Sequence, residues 1–437
     1  MYQNIFHLLN KYFFVNFFFA FIPISFILGN LILNLNILLF ITLSLFIYYK
    51  DFLDLKFNFI DKVIFCFFFY ILFVGIYNYF ATNDVPPNDQ IIIKSISYLR
   101  FLLLYFVVRL LIKKDQINFK IFFSACSICV LFVSLDVIFQ FNFGKDIFGF
   151  EGNTRRLGGP FGDELIAGAY LQRFSYFLFF ALLYFPSFKN TSLKINFFLF
   201  CLISLVIIFG LLYAGNRMPF VLFFITAFLI FIFDKTKRIY FFALMVLTIS
   251  VLITSYNSNI EIKKHYGHFH TKVVNFFYSF SNDNLVVIDA NEDLTFDEKN
   301  YTLSFNDKTY RMTSSHVKDF YSGYKTWLVN KYFGGGVKTF RFNCSKAFYN
   351  CNTHPHNYYL EILADLGIFG LLLIIFIFLY LILKSFLIKE TIITPFIFIF
   401  IIEIFPLKST GSFFTTSNAT FIFLILSVIA GLSLRKN

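Results

Sequence analysis

Twelve runs of apolar residues, spaced along nearly the whole chain, limit what it can fold into. They fall at about 13–29, 31–49, 60–80, 94–112, 119–142, 165–186, 195–214, 218–233, 239–255, 357–383, 391–405 and 413–434. A helix of about 20 apolar residues crosses the hydrocarbon core of a bilayer, and most of the runs have that length. The composition agrees: 58% of the 437 residues are hydrophobic, only 14% are charged, and 72 are phenylalanine. A soluble protein of this size cannot hide that much apolar surface. The expected fold is an all-α polytopic membrane protein with about twelve transmembrane helices. Helices 1–9 occupy 1–255, a loop domain occupies 256–356, and helices 10–12 occupy 357–437. The first run is too long, and too closely followed by a second, to be a cleaved signal peptide.

Charge placement sets the orientation. With the N-terminus in the cytoplasm, the inside segments carry seventeen Lys and Arg residues, Arg109, Lys113 and Lys237 among them. The short outside loops carry five: Lys145, Arg155, Arg156, Arg217 and Lys408. Cytoplasmic loops are enriched in cations in this way, and long translocated loops are exempt. Both termini are then cytoplasmic and 256–356 lies outside. The net charge of +12 sits in loops between apolar spans, so it reads as membrane orientation and no nucleic-acid partner is expected.

Within the outer segment, YTLSFNDKTYRMT at 301–313 alternates apolar and polar residues around Asn306-Asp307, a hairpin pattern. Phe320, Tyr324, Trp327 and Leu328 then recur at helical spacing. This helix either packs on its own domain or lies in the outer membrane interface. Gly334, Gly335 and Gly336 break it and offer a hinge. Cys66, Cys126, Cys129 and Cys201 fall within spans, where a lone thiol acts as a small hydrophobe. Cys344 and Cys351 lie outside, where an oxidising compartment joins them. That bridge fixes where the next residues point.

Those residues are His354-Pro355-His356-Asn357, just ahead of the tenth span. Proline suits a first helical turn, which puts His356 in that turn. There the helix dipole disfavours imidazolium, and a neutral imidazole is a competent general base. A zinc site or a simple cap histidine are the alternatives, but zinc lacks a third ligand once the cysteines are bridged. On a helix the two rings would point about 200° apart, so only one faces a substrate. Lys94, Arg100 and Arg173 fall within spans, and Arg217 in AGNRMP caps the outer end of the eighth. All four belong to the outer half of the membrane. Charges at such depth are costly and by default functional, although Lys94 has the option of snorkelling. Guanidinium groups pair bidentately with phosphate, so these cations are expected to converge on one cavity for a lipid-linked pyrophosphate. Asp163-Glu164 reads as a helix cap, or as a divalent-ion site.

His356-Asn357, nine residues, then Gly367-Ile368-Phe369-Gly370 resembles the signature of the O-antigen ligase and O-antigen polymerase superfamily. RRLGGPFGDELIAGAYLQR at 155–173, AGNRMPF at 214–220 and the run from Trp327 through FGGG to Phe340-Arg341 are also similar to blocks in that family. The resemblance implies a GT-C-like fold in a bacterial inner membrane, with a large periplasmic loop between helices 9 and 10. It implies a metal-independent, cofactor-free, inverting glycosyltransferase. Its donor is a glycan on undecaprenyl pyrophosphate. Its acceptor is lipid A–core in a ligase, or another glycan in a polymerase; protein O-oligosaccharyltransferases are a third sibling. By position His356 matches the catalytic histidine and Arg217 the first arginine, with His354 beside them on the substrate side. The second arginine is Arg311 by place in the chain, or Arg341. The rival class is a transporter of lipid-linked sugars, which would be built from broken helices or repeats; the sequence displays neither.

Overall fold

The computed structural model describes residues 2–81, 88–152, 156–185, 193–264, 266–267, 295–297, 302–305, 308–311, 315–347, 351–388, 390–409 and 411–435, with backbone alone at 2–11, 88–89, 193, the three short stretches between 295 and 311, and 315–318. Every one of the twelve apolar runs is helical. They form α1 (Tyr2–Ile27), α2 (Asn30–Ile47), α4 (Phe59–Ala81), α5 with α6 (Asn88–Tyr98, Arg100–Lys113), α7 (Phe119–Phe143), α8 (Ala167–Tyr184), α9 (Leu193–Tyr213), α10 (Arg217–Phe233) and α11 (Arg238–Ser258). A short α3 (Tyr49–Leu53) lies between α2 and α4. After the outer segment come α14 (Tyr358–Ser385), α15 (Thr394–Glu403) and α16 (Thr416–Leu432). Among the described residues, seven helices are long and apolar enough to cross a membrane, and four more are shorter apolar helices.

Large apolar side chains point out of the bundle all round it: Leu31 and Phe46 on α2, Ile128 on α7, Phe198 on α9, Leu379 and Leu383 on α14. In water such a surface would drive association; a bilayer is its proper solvent. The opposite case is α16, where every residue from Asn418 to Leu432 is buried. A helix apolar on all sides belongs in a core. It packs against α6, α2, α14 and α15 and forms the axis of this half of the bundle.

Arg109, read from the sequence as a cytoplasmic loop cation, is instead buried in α6. Its guanidinium lies 2.6 Å from Asp61 of α4 and donates to the Lys56 carbonyl, while the Tyr105 hydroxyl donates to the same carboxylate. A charge this deep persists because it is paired. The asymmetry of the other cations is unaffected.

The outer segment is not wholly helical. β1 (Thr295–Asp297), β2 (Thr302–Phe305) and β3 (Lys308–Arg311) form an antiparallel sheet in the order β1-β2-β3. Phe305 pairs with Lys308, so the hairpin expected over 301–313 is present; its turn residues, 306 and 307, lie outside the described residues. Two helices follow, α12 (Ser315–Val329) and α13 (Phe340–Ala347). The side of α12 that packs is not its aromatic stripe. Gly323 lies against Pro355 and Leu360, and Asp319, Ser322 and Thr326 are buried, while Phe320, Tyr324, Trp327 and Leu328 stay half-buried.

The residues expected to form a hinge do the reverse. Gly334 takes a φ of 70° and presses on the backbone of α14, where a Cβ would come within 2.4 Å of the Asp365 carbonyl carbon. It can do so because α14 is broken at Gly367, whose φ of 68° and ψ of −171° lie outside the helical region. The strap Lys331–Gly336 fills the break. Gly335 N–H donates to the Ala364 carbonyl, Gly336 N–H to the Asp365 carbonyl, and Ile368 N–H to the Lys331 carbonyl. The Tyr70 hydroxyl donates to the Leu366 carbonyl, and Asn78 donates to the Gly334 carbonyl. Backbone freed inside a membrane must find such partners. The broken helix that the sequence did not reveal therefore closes on protein.

That backbone region is accessible essentially only to glycine, and a Cβ at Gly367 would sit 2.1 Å from the Tyr332 carbonyl oxygen. Gly367→Ala should lower stability by more than the roughly 1–3 kcal/mol of backbone strain, read as a fall in thermal midpoint in detergent. Gly149→Ala, at φ 90° with open space around it, should lose the strain alone. Equal effects of the two would remove the strap from the account.

Candidate functional site

The histidine turn stands at the N-terminal end of α14. The helix starts later than the sequence reading placed it, and proline is not its first residue. Asn357 is the N-cap, with φ −147° and ψ 130°, and its side chain accepts from Tyr359 N–H and Leu360 N–H. Asparagine is among the best caps because its oxygen satisfies orphan amides of the first turn. His356 therefore precedes the helix, in a left-handed conformation at φ 53°. Freed from helical geometry, the two imidazoles do not diverge by 200°; their ring centres lie 4.2 Å apart. Thr353 Oγ1 sits 3.0 Å from His354 Nδ1.

Three attachments hold this turn. Pro355 is clamped by Gly323 of α12. A disulfide joins Cys344 to Cys351 across a Cα separation of 6.0 Å, and Cys344 is buried on α13 against Phe340 and Ala364. The bridge thus ties the loop three residues before His354 to the side of α14. The third attachment is the segment between α15 and α16. Asn357 Nδ2 donates to the Pro406 carbonyl over 2.7 Å, and the Tyr359 hydroxyl donates to the Ile404 carbonyl.

The same segment carries a buried ion network. Arg173 of α8 donates to both carboxylate oxygens of Glu403, over 3.1 and 2.6 Å, and to Asn418 Oδ1 over 2.7 Å. Lys408 Nζ donates to Glu403 over 2.8 Å, and the Tyr358 hydroxyl donates to it over 2.8 Å. Burial pulls the Lys408 ammonium down to about 8, against the opposing pull of Glu403. Arg173 is thus occupied. It also donates to the hydroxyl of Tyr358, the residue after the cap, over 3.3 Å.

Arg100 lies elsewhere. It donates to Thr416 Oγ1 over 3.3 Å. Thr416 and Asn418 are two residues apart on α16, hence about 200° apart around it, so Arg100 and Arg173 approach opposite faces of that helix. The contacts of Arg100 and Arg173 therefore do not describe the single cavity expected of them. Arg217 is the first residue of α10. Its neighbour Asn216 donates to the Leu165 carbonyl and accepts from Gly168 N–H, which pins the outer ends of α10 and α8 together. Lys94 lies 5.9 Å from the Phe342 ring, with Arg341 on the same ring at 4.6 Å. Arg311 ends β3, and its side chain lies outside the described residues. Among the described residues no three His, Cys, Asp or Glu side chains gather as metal ligands.

A family model described as O-antigen ligase matches residues 202–375. Over that stretch the chain is similar to the O-antigen ligase family. The match runs from α9 to just beyond the break in α14, and takes in Arg217, the disulfide, both histidines and Gly367. None of the curated proteins matches the chain. Two residues outside the family stretch, Glu403 and Lys408, were missed as parts of the site. A carboxylate inside an apolar run is as costly as a cation there; Glu403, Glu361 and Asp365 carried that signal.

Glu403 neutralises two buried cations, so removing its charge strands both. Breaking a buried pair from one side costs about 3–5 kcal/mol. Glu403→Gln should show a loss of that order in thermal unfolding. Adding Arg173→Met should recover part of it, because one stranded charge goes. A double variant as weak as the sum of the two single changes would contradict this coupling.

Proposed function

We propose that this protein is a metal-independent inverting glycosyltransferase of the O-antigen ligase type. It transfers a glycan from undecaprenyl pyrophosphate to a hydroxyl of lipid A–core at the periplasmic face of the inner membrane. The observation that carries the reading is the histidine turn. Two imidazoles are lifted off the end of a capped helix, inside the stretch that matches the O-antigen ligase model. His356 takes the proton from the acceptor hydroxyl. The oxygen attacks the anomeric carbon, the bond from that carbon to the pyrophosphate oxygen breaks, and undecaprenyl pyrophosphate departs with the electron pair. One displacement inverts the anomeric centre. The negative charge grows on the pyrophosphate, so a fixed cation stabilises the transition state more than the ground state. Arg217 fills that role from the first turn of α10, where the helix N-terminus adds its own positive end. No step requires a metal or cofactor.

His356→Ala should reduce transfer about 10²–10⁴-fold, the usual contribution of a general base, with the lipid-linked donor still bound. His354→Ala should be milder. The reverse order would move the base to His354, and normal rates in both would end the base mechanism. Arg217→Lys keeps the charge but loses the planar fork, so kcat should fall sharply in the same assay.

Sidedness has its own check. A phosphatase fusion within 268–294 should be active, and one near Lys237 inactive, if the outer segment is periplasmic. The opposite pattern would turn the protein over in the membrane.

A further inference from the structure

We propose that Lys94, Arg100, Lys338 and Arg341 form a second anion site, which takes the phosphate of the acceptor lipid. This rests on the transfer reading above. The four cations come from three elements. Lys94 is on α5, Arg100 begins α6, and Lys338 and Arg341 follow the strap that locks the break in α14. Lys338 holds a left-handed backbone at φ 59°, and its N–H donates to Asp365 Oδ2 over 2.7 Å, which sets its direction. Lys94 lies within electrostatic reach of Lys338 and Arg341, and Lys338 within reach of Arg100 and Arg341. Lys94 and Arg341 also share the Phe342 ring.

Among the described residues, no ion pair joins any of the four to a carboxylate. Two carboxylates are near, but both are engaged otherwise. Glu361 accepts from the Ser412 hydroxyl and Phe413 N–H. Asp365 accepts from Lys338 N–H and the Thr339 hydroxyl. Lys338 lies within electrostatic reach of both acids and Lys94 within reach of Asp365, so two acids face a cluster of four cations. Crowded like charges repel, and a phosphate dianion relieves them.

Placement separates this site from the donor's. Arg100 meets α16 on the face opposite the one that Arg173 of α8 meets, and the outer end of α8 is joined to α10, which begins with Arg217. The Arg100 side of the cluster therefore lies across α16 from Arg173. Glu361 and Asp365 lie one and two turns below Asn357, about 6 and 12 Å along α14. A phosphate at the second site would sit nearer the membrane than the histidines. That is the geometry of a lipid phosphate whose sugar reaches up to the base.

The test uses the full chain in nanodiscs and reads binding without turnover. The probes are bisphosphorylated lipid A, the same lipid after enzymatic dephosphorylation, and phosphatidylglycerol. The wild type should hold the phosphorylated form at least about tenfold more tightly than the dephosphorylated one. Lys338→Gln with Arg341→Gln should erase that preference, while Arg217→Ala keeps it. Thermal midpoints near that of the wild type will show that the variants are folded. No preference in the wild type, or a preference that survives the double change, overturns the proposal. Equal retention of phosphatidylglycerol would make the cluster a bilayer headgroup anchor and overturn it as well. If binding follows the expectation but His356→Ala still transfers, the anion site stands and the base mechanism falls; the two failures are distinct.

Discussion

A helix broken at Gly367 and refilled by the strap Lys331–Gly336 is the constraint on which the region around the histidine turn depends. The break alone would be ruinous in a bilayer, because unpaired amides and carbonyls there cost several kcal/mol each. The strap alone, rich in glycine, would have no fixed form. Together each supplies the other's missing hydrogen bonds. The joint also couples the loop to the bundle: α12 and α13 leave and re-enter the structure through it. Lys338 is placed by the residue that ends one strand of the break, Asp365.

The histidine turn inherits its position from this joint and from the α15–α16 segment. Asn357, Tyr358, Tyr359 and Glu361 reach, in sequence order, to Pro406, Glu403, Ile404 and Ser412. Four successive attachments over one helical turn leave little freedom at the N-terminal end of α14. Rigid support is what the proposed base needs, since misplacement by about 1 Å can cost 10²-fold in rate. The ion network of Arg173, Glu403 and Lys408 lies behind this support. Its charges are spent on one another.

Much of the fold was legible because a bilayer reads hydropathy almost directly. Each apolar run became a helix, most with edges displaced by a few residues, while α1 begins eleven residues ahead of its run. What sequence could not display was where backbone departs from regular form. Gly367 sits in a run whose only charges ahead of it are Glu361 and Asp365, and nothing in IFG or LLL beside it announces a positive φ; the break exists only because the strap meets it. The same cause misplaced His356. Pro355 invited a helix start, but Asn357, a stronger cap, took that position. Cations in spans were noticed and carboxylates were not, so Arg173 looked available when Glu403 had already claimed it. The pairing of the two cysteines, by contrast, follows from seven residues of separation and a shared compartment.

The reactive residues gather at the mouth of α14 for a reason that combines these constraints. Inside the membrane a polar group survives only when bonded to protein, which excludes a site open to a sugar hydroxyl. Outside it, a long loop lacks the rigidity to aim a base. The mouth of a helix meets both needs when its first turn is capped by its own asparagine and its flanks are fixed by a disulfide and a buried ion network. His356, half-buried and in a left-handed conformation just before that cap, has its backbone held by structure that extends into the bundle. The cost is a strained residue at φ 53°, and such strain persists only where the surroundings over-determine it. Here they do, from three sides: α12 against Pro355, the Cys344–Cys351 bridge, and the bond from Asn357 to Pro406.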